Sequence, residues 1–353
     1  MPTKIEWVKN PVSETPGESW NPVLGCRQVS EECRNCYALG FAWRHQHNPS
    51  VSTYDDLATK DVRGRLGWTG VTRIVPEALA KPLRWKKPRR VFVCSMSDLF
   101  FEPGSLEWIA AVFGVMAVCP QHTFILLTKR PRRAEKFMFW VLRQAGEEGV
   151  TPSELCRRYA NRYLLPLGIT LTKLRIPDFW PLPHVTVGTT IGHQATAGRA
   201  RQLALVPARW RFVSYEPAIG PLDLSAAFKL RSPLDCKHAD DPEREKFLPL
   251  IKAGNAYMEP LINGVLVGGE TGAEARPMHP AWAESMRDQC REHKRTFHFK
   301  AWGEYSPDSL SGSWRHFDFE DGTRVYRVRK KLSGRSLRDE RGNYRVYDEV
   351  PWN

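Results

Sequence analysis

Three cysteines lie close together near the start of the chain, and their spacing is the strongest chemical signal in the sequence. Cys26, Cys33 and Cys36 form a C-x6-C-x2-C pattern within GCRQVSEECRNCYALGFAWRH. Thiolates are soft ligands that suit zinc and iron–sulfur clusters. Three thiolates leave one coordination position of a metal centre free, whereas a structural zinc site is normally closed by four protein ligands. The pattern therefore predicts a metal centre with an open position.

Zinc is the main alternative for these cysteines. His45 and His47 follow Cys36 and are available as a fourth ligand. Common zinc modules, however, combine one closely spaced cysteine pair with a second such pair, and the sequence contains no second C-x-x-C. We therefore favour an iron–sulfur cluster over zinc, and unliganded thiols are the third interpretation.

Polar side chains recur at the ends of six short apolar runs. These runs are predicted strands at 91–94, 123–127, 184–188, 211–214, 264–267 and 296–299. The polar residues that follow them are Ser97 and Asp98, Thr128 and Lys129, Thr189, Glu216, Glu270, and Lys300. Simple strand ends would explain the Ser and Thr residues, but isolated charges at the edge of a core are costly. The charged members therefore predict a functional rim.

Helical segments separate the apolar runs, at 38–47, 106–118, 134–146, 195–205 and 281–293. Near-continuous apolar runs of this length are typical of parallel strands that are buried on both faces. The fold class is therefore α/β, with a short first strand expected around 22–25, just before the cysteine loop. Because α/β barrels carry their active sites at the carboxyl ends of the strands, we expect the cysteines and the polar rim at the same end.

Polar and irregular stretches interrupt this alternation. We interpret residues 19–305 as one (β/α) domain with insertions around 48–75, 147–182 and 225–262. Residues 306–353 are predicted to form a polar, basic C-terminal extension.

The chain of 353 residues is basic, with 52 Lys and Arg against 39 Asp and Glu and a formal net charge of +13. This balance favours a polyanionic partner such as nucleic acid. Basic stretches occur at 86–90, 129–133 and 324–342. Lysine and arginine contact phosphates and aromatic rings stack on bases, although solvated surface charge is the alternative for these stretches.

The sequence also indicates a compartment. It contains no signal-peptide core and no apolar segment long enough to span a membrane. The remaining five cysteines are scattered without pairing spacing. We therefore expect a reducing, cytoplasmic location and no membrane partner; for a phage-encoded protein this would be the host cytoplasm.

A cysteine loop followed by alternating strands and helices resembles the radical S-adenosylmethionine (SAM) superfamily. More closely, the chain is similar to a phage-associated three-cysteine-motif family in the strings SWNPVLGCRQVSEECRNCYA, KPRRVFVCSMSDLF, HTFILLTKRP, RFVSYEPAIGPLDL, VLVGGETGAEARPMHPAW and FHFKAWGEY. The usual superfamily spacing is C-x3-C-x2-C with an aromatic residue before the last cysteine. Here six residues fill the first gap, Asn35 precedes Cys36, and Tyr37 follows it.

The resemblance implies a partial or full (β/α) barrel of the radical SAM type. It implies that Cys26, Cys33 and Cys36 hold a 4Fe–4S cluster whose open iron binds the amino and carboxylate groups of SAM. Reduction by an external donor such as flavodoxin or ferredoxin would then cleave SAM to a 5′-deoxyadenosyl radical. The cofactors implied are therefore a 4Fe–4S cluster and S-adenosyl-L-methionine.

The resemblance also suggests roles for the rim residues. A short polar motif after the second strand binds the SAM amino group in that superfamily, which implies this role for Ser95, Ser97 and Asp98; capping of the following helix is the alternative. The other cofactor-binding candidates are Thr128, Lys129, Thr189 and Glu216, and the catalytic candidates are Lys300, Glu270 and Tyr215.

Further residues are expected on the substrate side. Arg130, beside Lys129, suits an anion such as a carboxylate or phosphate. The run GGETG lacks the spacing of a dinucleotide site or a P-loop, so we interpret its glycines as allowing a ligand to approach the backbone. Arg276, His279 and Trp302 are expected to complete this side.

Together these expectations describe a radical SAM-type enzyme that acts on DNA or a nucleotide-derived base, in phage DNA hypermodification or repair. The alternative is a non-catalytic iron–sulfur or zinc protein that binds nucleic acid.

Overall fold

The computed structural model describes residues 2–3, 5–9, 16–176, 179–231, 261–308, 315–328, 330–339, 341 and 343–350. Most of the insertion expected at 225–262, including Cys236, lies outside these residues. The strands of the main sheet are β1 (Pro2–Thr3), β2 (Gly17–Trp20), β7 (Arg90–Val93), β8 (Thr123–Thr128), β9 (Val185–Thr190), β10 (Trp210–Tyr215), β11 (Gly264–Gly268) and β12 (Thr296–Ala301). The shorter strands are β3 (Val23–Leu24), β4 (Ala58–Lys60), β5 (Leu66–Trp68), β6 (Arg73–Ile74), β13 (Tyr305–Ser306), β14 (His316–Asp318), β15 (Arg324–Arg327), β16 (Ser336–Arg338) and β17 (Tyr344–Val346).

The main sheet has the order β1-β2-β7-β8-β9-β10-β11-β12. Strand β1 is antiparallel to β2, and the seven strands from β2 to β12 are parallel and curl into a half-barrel. The six apolar runs are β7 to β12, so the prediction that they share one parallel sheet is confirmed.

A short strand, β3, is present at the expected position around 22–25, but it does not join the main sheet, so its expected place as the first strand of that sheet is wrong. The strand that joins the sheet is β2, and β3 pairs instead with β6 in a separate two-stranded sheet. Pro22 has no N–H to donate to a central ladder. Strand β2 was not predicted because its residues Glu18 and Ser19 are polar. In the structure Glu18 is buried and forms an ion pair with Arg89 at 2.5 Å.

The helices are α1 (Tyr37–Gln46), α2 (Pro76–Leu79), α3 (Leu106–Ala117), α4 (Pro131–Glu147), α5 (Pro152–Leu164), α6 (Gly198–Ala204), α7 (Ser225–Phe228) and α8 (Pro280–Glu292). Short 3₁₀ helices occur at Glu6–Val8, Glu31–Cys33, Ser52–Tyr54, Lys81–Arg84, Leu165–Leu167 and Gln194–Thr196. The five helices predicted from the sequence are thus confirmed to within a few residues. Within the expected insertion at 147–182, α5 packs so closely on α3 that a Cβ at Gly114 would lie 2.2 Å from the Cys156 carbonyl oxygen.

Side chains alternate between the two faces of the sheet because successive strand residues point in opposite directions. One face packs against the helices through residues such as Val91, Val93, Phe124, Leu126, Val265 and Val267. The other face lines the inside of the half-barrel with Phe92, Ile125, Phe212 and Leu266. Trp7, Val8 and Val350 pack on these four residues. The first and last described segments therefore fill the half-barrel away from the carboxyl ends of its strands. Polar groups can then occupy the carboxyl end.

The C-terminal residues continue the barrel rather than standing apart from it. The Phe299 N–H donates to the Tyr347 carbonyl at 2.9 Å, and His298 pairs with Asp348 in an antiparallel bridge. Leu337 of β16 is fully buried in the main core. Within the described ranges, no helix has the length and apolar character needed to cross a membrane.

Candidate active site

The cysteine loop, residues 26–36, is fixed to the carboxyl end of the sheet at several points. The first anchor is Glu32, whose side chain is fully buried. Its Oε1 accepts hydrogen bonds from the Gly192 N–H at 2.8 Å and the Thr196 hydroxyl at 2.6 Å, and Arg199 Nη1 lies 3.4 Å away. Burial would raise the pKa of this carboxyl, but its hydrogen bonds outweigh burial and lower the pKa to about 2. The loop is thereby tied to the chain just after β9.

The second anchor is a network centred on Glu270, which follows β11. The Arg276 guanidinium donates to both carboxylate oxygens, from Nε at 2.9 Å and from Nη2 at 2.8 Å. Asn35 Nδ2 donates to the same carboxylate at 2.9 Å, and Arg276 also reaches the Glu31 carbonyl at 2.9 Å. Burial opposes ionisation of Glu270, yet the hydrogen bonds from Arg276 lower its pKa overall. Glu270, a catalytic candidate from the sequence, is thus engaged in holding the loop.

The third anchor is the buried pair of Asp98 and Arg130. Arg130 Nη1 donates to Asp98 Oδ2 at 2.9 Å and its Nε donates to Glu102 Oε2 at 2.8 Å. The remaining Nη2 donates to the carbonyl of Arg27, inside the loop, at 3.0 Å. Arg130, expected to bind an anion, therefore has its donors occupied by protein groups, and it links the ends of β7 and β8 to the loop.

The three cysteines are free thiols of intermediate exposure. Cys33 ends a 3₁₀ helix, and Cys36 is the N-cap residue of α1, with its N–H donating to the Cys33 carbonyl at 3.3 Å. Loss of solvation, together with the nearby Asp98 carboxylate and Cys36, raises the pKa of the Cys26 thiol to about 12. In the described part of the chain, no group of three or more His, Cys, Asp or Glu side chains is arranged to hold a metal ion. The thiols thus share one anchored loop without being gathered into a preformed metal site.

His45 and His47 do not reach this loop. They lie at the opposite end of α1 from Cys36, and nine residues of α-helix separate His45 from Cys36 by about 13 Å along the axis. His45 stacks on Tyr54, and His47 Nδ1 lies 2.7 Å from the Trp43 carbonyl. The alternative in which either histidine completes a zinc site is therefore wrong.

Ser95 belongs to a polar cluster beside the cysteines. Its hydroxyl lies in hydrogen-bond contact with the Ser19 hydroxyl and 3.2 Å from Asn21 Oδ1. Its carbonyl accepts the Tyr37 hydroxyl at 2.7 Å. The residue after the last cysteine is therefore held against the loop that follows β7.

The other two members of the predicted SAM-binding motif are bound to the protein. The Ser97 hydroxyl donates to the Val23 carbonyl at 2.6 Å. Asp98 Oδ1 accepts the Phe100 N–H at 3.0 Å in addition to the bond from Arg130 to its other oxygen. Neither residue caps α3, because Ser105 occupies that position and accepts the Glu107 N–H. The capping alternative for Ser97 and Asp98 is therefore wrong.

Thr128 and Thr189 lie on the helix-facing side of the strand ends. The Thr128 hydroxyl donates to Asp98 at 2.7 Å, and the Thr189 hydroxyl donates to the Thr128 carbonyl at 2.8 Å. Lys129 has the opposite parity, so it follows Ile125 and Leu127 on the inner face. Its backbone N–H donates to Asp98 at 3.0 Å, while its ammonium has no partner among the described residues. Lys129 is thus available for an anionic ligand.

Glu216 and Lys300 meet inside the half-barrel. Lys300 Nζ forms an ion pair with Glu216 Oε1, and both side chains are about one-fifth exposed. Tyr215 has the opposite parity and is fully buried, with its hydroxyl bonded to the Gly220 carbonyl. Two residues expected at the rim are therefore brought together, whereas Tyr215, the third catalytic candidate, lies in the core beneath the helices.

His298 is an inner residue that the sequence reasoning missed. It pairs in register with Leu266, so it lies on the inner face, between Phe297 and Phe299, which face the helices. It is 3% exposed, and its Nδ1 lies 3.9 Å from Asp348 Oδ1, beyond hydrogen-bond distance. Neither ring nitrogen has a hydrogen-bond partner within the described ranges. Burial lowers its pKa to about 4 despite Asp348 and Glu216 nearby. The alternation in TFHFK was the signal that would have identified it.

One comparison with known proteins is positive. A model of a protein family of unknown function, DUF5131, matches residues 2–351. The chain belongs to the DUF5131 family. No curated protein and no solved structure matched it. In this DUF5131 chain the match includes the cysteine loop, all the parallel strands and the C-terminal segment along β12.

In this DUF5131 chain, Gly269 of the GGETG run has a role in backbone packing instead of the expected role in ligand binding. A Cβ at Gly269 would lie 1.9 Å from the Trp302 carbonyl oxygen. Gly303 adopts a φ of +86°, and its own Cβ would lie 2.3 Å from the Glu270 carbonyl oxygen. Gly269 and Gly303 therefore let the ends of β11 and β12 approach each other, so the interpretation that the GGETG glycines accommodate a ligand is corrected for Gly269.

His279 and Trp302 in this DUF5131 chain also have structural partners. His279 Nδ1 accepts the Ala281 N–H at the start of α8, and its Nε2 lies 3.0 Å from Asp321 Oδ2. Trp302 Nε1 donates to the Ser336 carbonyl at 3.0 Å. The inner residues Lys129, Glu216, His298 and Lys300 are therefore better placed than these two to face a substrate.

Proposed function

We propose that this protein is a radical SAM-type enzyme whose cysteine loop and inner polar residues form one active site. The observation that carries the proposal is the anchoring of the cysteine loop to the ends of β8, β9 and β11, where Arg130, Gly192 and Glu270 bind it. Loops at this end carry the active sites of (β/α) barrels. The half-barrel provides the architecture that the proposal requires.

Cys26, Cys33 and Cys36 would hold a 4Fe–4S cluster. The donor set fits such a group, because three free, partly exposed thiols share a loop whose ends are fixed. When bound and reduced by an external donor such as flavodoxin or ferredoxin, the cluster would supply the electron that cleaves SAM to a 5′-deoxyadenosyl radical.

The chain's own residues would bind and orient the reactants. The Lys129 ammonium suits the SAM carboxylate, and the Ser95 hydroxyl suits its amino group. The pair of Glu216 and Lys300 lies further inside, where Lys300 Nζ can hold a proton next to a substrate group. His298, two residues before Lys300 on β12, is buried and neutral, so it excludes water. Its ring offers one hydrogen-bond donor and one acceptor.

The proposed substrate class is DNA or a nucleotide-derived base. The support is the net charge of +13 and the exposed basic residues beside the rim, such as Arg132. Modification or repair of a base in phage DNA would suit both the proposed chemistry and this charge.

The proposal is tested by anaerobic purification and reconstitution with iron and sulfide, followed by measurement of iron, of zinc and of 5′-deoxyadenosine formed from SAM. We expect alanine at Cys26, Cys33 or Cys36 each to abolish the brown chromophore and SAM cleavage. Cys119→Ala, which changes a buried cysteine far along the chain, is the matched control and should retain both. One zinc per chain without iron would refute the proposal and favour the non-catalytic nucleic-acid-binding alternative.

A second set of variants separates cluster binding from catalysis. We expect Lys300→Met to keep the iron content and to lower the turnover of the DNA or nucleotide substrate at least tenfold, because the variant lacks the Nζ group that holds the proton. Glu216→Gln combined with Lys300→Met removes both charges of the pair, so it should restore any lost stability without restoring activity. Full activity of this double variant would exclude the pair from catalysis.

A further inference from the structure

Helix α1 and the residues just before it present two aromatic side chains flanked by two arginines to solvent. Tyr37, Phe41 and Arg44 are spaced by four and three residues, which places them on one face of α1. Arg34 is exposed just before the helix begins. We call these four residues the α1 stripe. Tyr37 is 55% exposed and Phe41 is 44% exposed, whereas Ala38 and Leu39 on the other side of α1 are buried.

Two further exposed apolar side chains lie on the cysteine loop or on the chain next to its start. Val29 is 46% exposed and Val71 is 41% exposed. The backbone of Val71 lies against the loop, because a Cβ at Gly25 would be 2.0 Å from its carbonyl oxygen. Single exposed apolar residues need no explanation, but a contiguous group of them marks an interaction surface.

The charge of this surface is positive. Helix α1 contains no acidic residue. Of the two carboxylates of the cysteine loop, Glu32 is buried and pairs with Arg199 at 3.4 Å. Glu31 lies 3.3 Å from Arg276, which also pairs with Glu270. Arg34 and Arg44 remain exposed. The surface therefore complements a polyanion that carries aromatic groups, and single-stranded nucleic acid has this chemistry.

We propose that the α1 stripe binds a single-stranded segment of nucleic acid, with bases stacked on Tyr37 and Phe41 and phosphates at Arg34 and Arg44. Arg44 lies over the Phe41 ring at 4.5 Å, so it covers one face of the ring and leaves the other for a base. The Tyr37 hydroxyl is bonded to the Ser95 carbonyl, which joins the stripe to the rim. A nucleotide stacked on Tyr37 would thus lie next to the cysteine loop. This inference assigns a binding surface to the nucleic-acid substrate of the proposed function. It rests on the proposed function only for the statement that nucleic acid is the substrate.

The test is fluorescence anisotropy of a labelled single-stranded DNA oligonucleotide over a range of salt concentrations, with the reconstituted full chain. We expect Phe41→Ala to weaken binding about tenfold with an unchanged salt slope, because base stacking does not involve counterion release. Arg44→Gln should weaken binding and reduce the salt slope by about one, as expected for the loss of one phosphate contact.

Two controls match these variants at the other end of the sheet. Phe179 is 65% exposed and precedes the amino end of β9, so Phe179→Ala removes an exposed ring elsewhere. Arg209 lies over the Trp210 ring at 5.5 Å at the start of β10, so Arg209→Gln removes a comparable arginine. Both controls should bind the oligonucleotide like the parent protein.

Parental affinity and salt slope in Phe41→Ala and Arg44→Gln would overturn the inference, as would equal losses in the two controls. The same preparations are assayed for 5′-deoxyadenosine without DNA, where Phe41→Ala should match the parent. If no preparation cleaves SAM but the Phe41 and Arg44 variants still bind the oligonucleotide more weakly, the proposed function is contradicted and the inference about the α1 stripe is supported. If SAM is cleaved but both variants bind the oligonucleotide like the parent, only the inference about the α1 stripe is contradicted.

Discussion

At the scale of single residues, the rim side chains separate by whether their polar atoms already have protein partners. Asp98 and Glu270 accept several hydrogen bonds each, and their carboxylates stabilise the loop. The buried ring of His298 has unused nitrogen atoms, and the half-buried Lys129 ammonium has no partner in the described part of the chain. Unsatisfied buried polar atoms are uncommon in folded proteins and often mark a ligand site. We therefore expect chemistry at the inner residues and positioning by the carboxylates.

His298 leads to a prediction about pH. Its folded pKa of about 4 lies below its ordinary value of 6.5, so the unfolded chain binds more protons between these values. The free energy of unfolding should therefore fall as the pH is lowered from 6.5 to 4. Urea unfolding at several pH values should show a smaller fall in His298→Gln than in the parent. His316→Gln, which changes an exposed histidine, is the control, and identical pH dependence in all three proteins would contradict the prediction.

At the scale of elements, the cysteine loop depends on side chains from several strand ends rather than on its own hydrogen bonds. Glu32 reaches the chain after β9, Asn35 reaches Glu270 after β11, and the Arg27 carbonyl receives Arg130 after β8. Gly192 permits the first contact, because a Cβ there would lie 2.4 Å from Glu32 Cγ. The loop is thus positioned by the whole edge of the sheet.

Glu32→Ala should release the middle of the loop from the chain after β9. It removes a buried carboxylate with three donors and leaves Arg199 without its carboxylate partner, so we expect a loss of about 2–4 kcal/mol in the free energy of unfolding. Native-state alkylation of Cys26, Cys33 and Cys36, followed by mass spectrometry, should be faster than in the parent. Since the pKa of Glu32 is about 2 in the folded state and ordinarily 4.5, the same anchor should weaken in the parent as the pH falls from 4.5 towards 2.

Glu18→Ala is the matched control for this variant. Glu18 is also a buried carboxylate paired with an arginine, but it lies in β2, away from the loop. It should destabilise the fold without accelerating alkylation of the loop cysteines under native conditions. Equal acceleration in both variants would mean that general destabilisation, and not the anchor, controls the loop.

At the scale of the whole molecule, two of the three basic stretches lie at opposite ends of the sheet. Residues 86–90 lead into β7, so they lie at the amino ends of the strands, whereas 129–133 follow β8 at the carboxyl end. Within these stretches Arg89 is paired with Glu18, and Arg133 donates to the Gly104 carbonyl at 2.6 Å. Of these two stretches, only 129–133 lies at the end of the sheet that carries the cysteine loop, so a nucleic acid bound there would contact 129–133 rather than 86–90.

Two pairs of charge reversals test this polarity. Arg132 and Lys136 are exposed in the first turns of α4, and Lys86 and Lys87 are exposed before β7. We expect reversal of Arg132 and Lys136 to glutamate to weaken DNA binding and to reduce the salt slope by about one to two. Reversal of Lys86 and Lys87 removes the same charge and should have a much smaller effect. Equal effects in an anisotropy titration would indicate non-specific attraction to the whole basic chain.

The sequence by itself determined the parallel strands, the main helices and the chemical character of the cysteine loop, because apolar periodicity and ligand spacing are local properties. It could not separate Lys129, Glu216 and Lys300, which face the inside of the half-barrel, from Tyr215, which faces the helices, since this depends on strand parity within a curled sheet. Nor could it show that Glu270, Asp98 and Arg130 are partners of the loop, because those contacts join segments far apart in the chain. The first strand was hidden because its Glu18 is buried by an arginine that follows it by 71 residues. These points depend on the tertiary structure, because contacts between distant segments, and not neighbours in sequence, determine which group pairs with a buried charge.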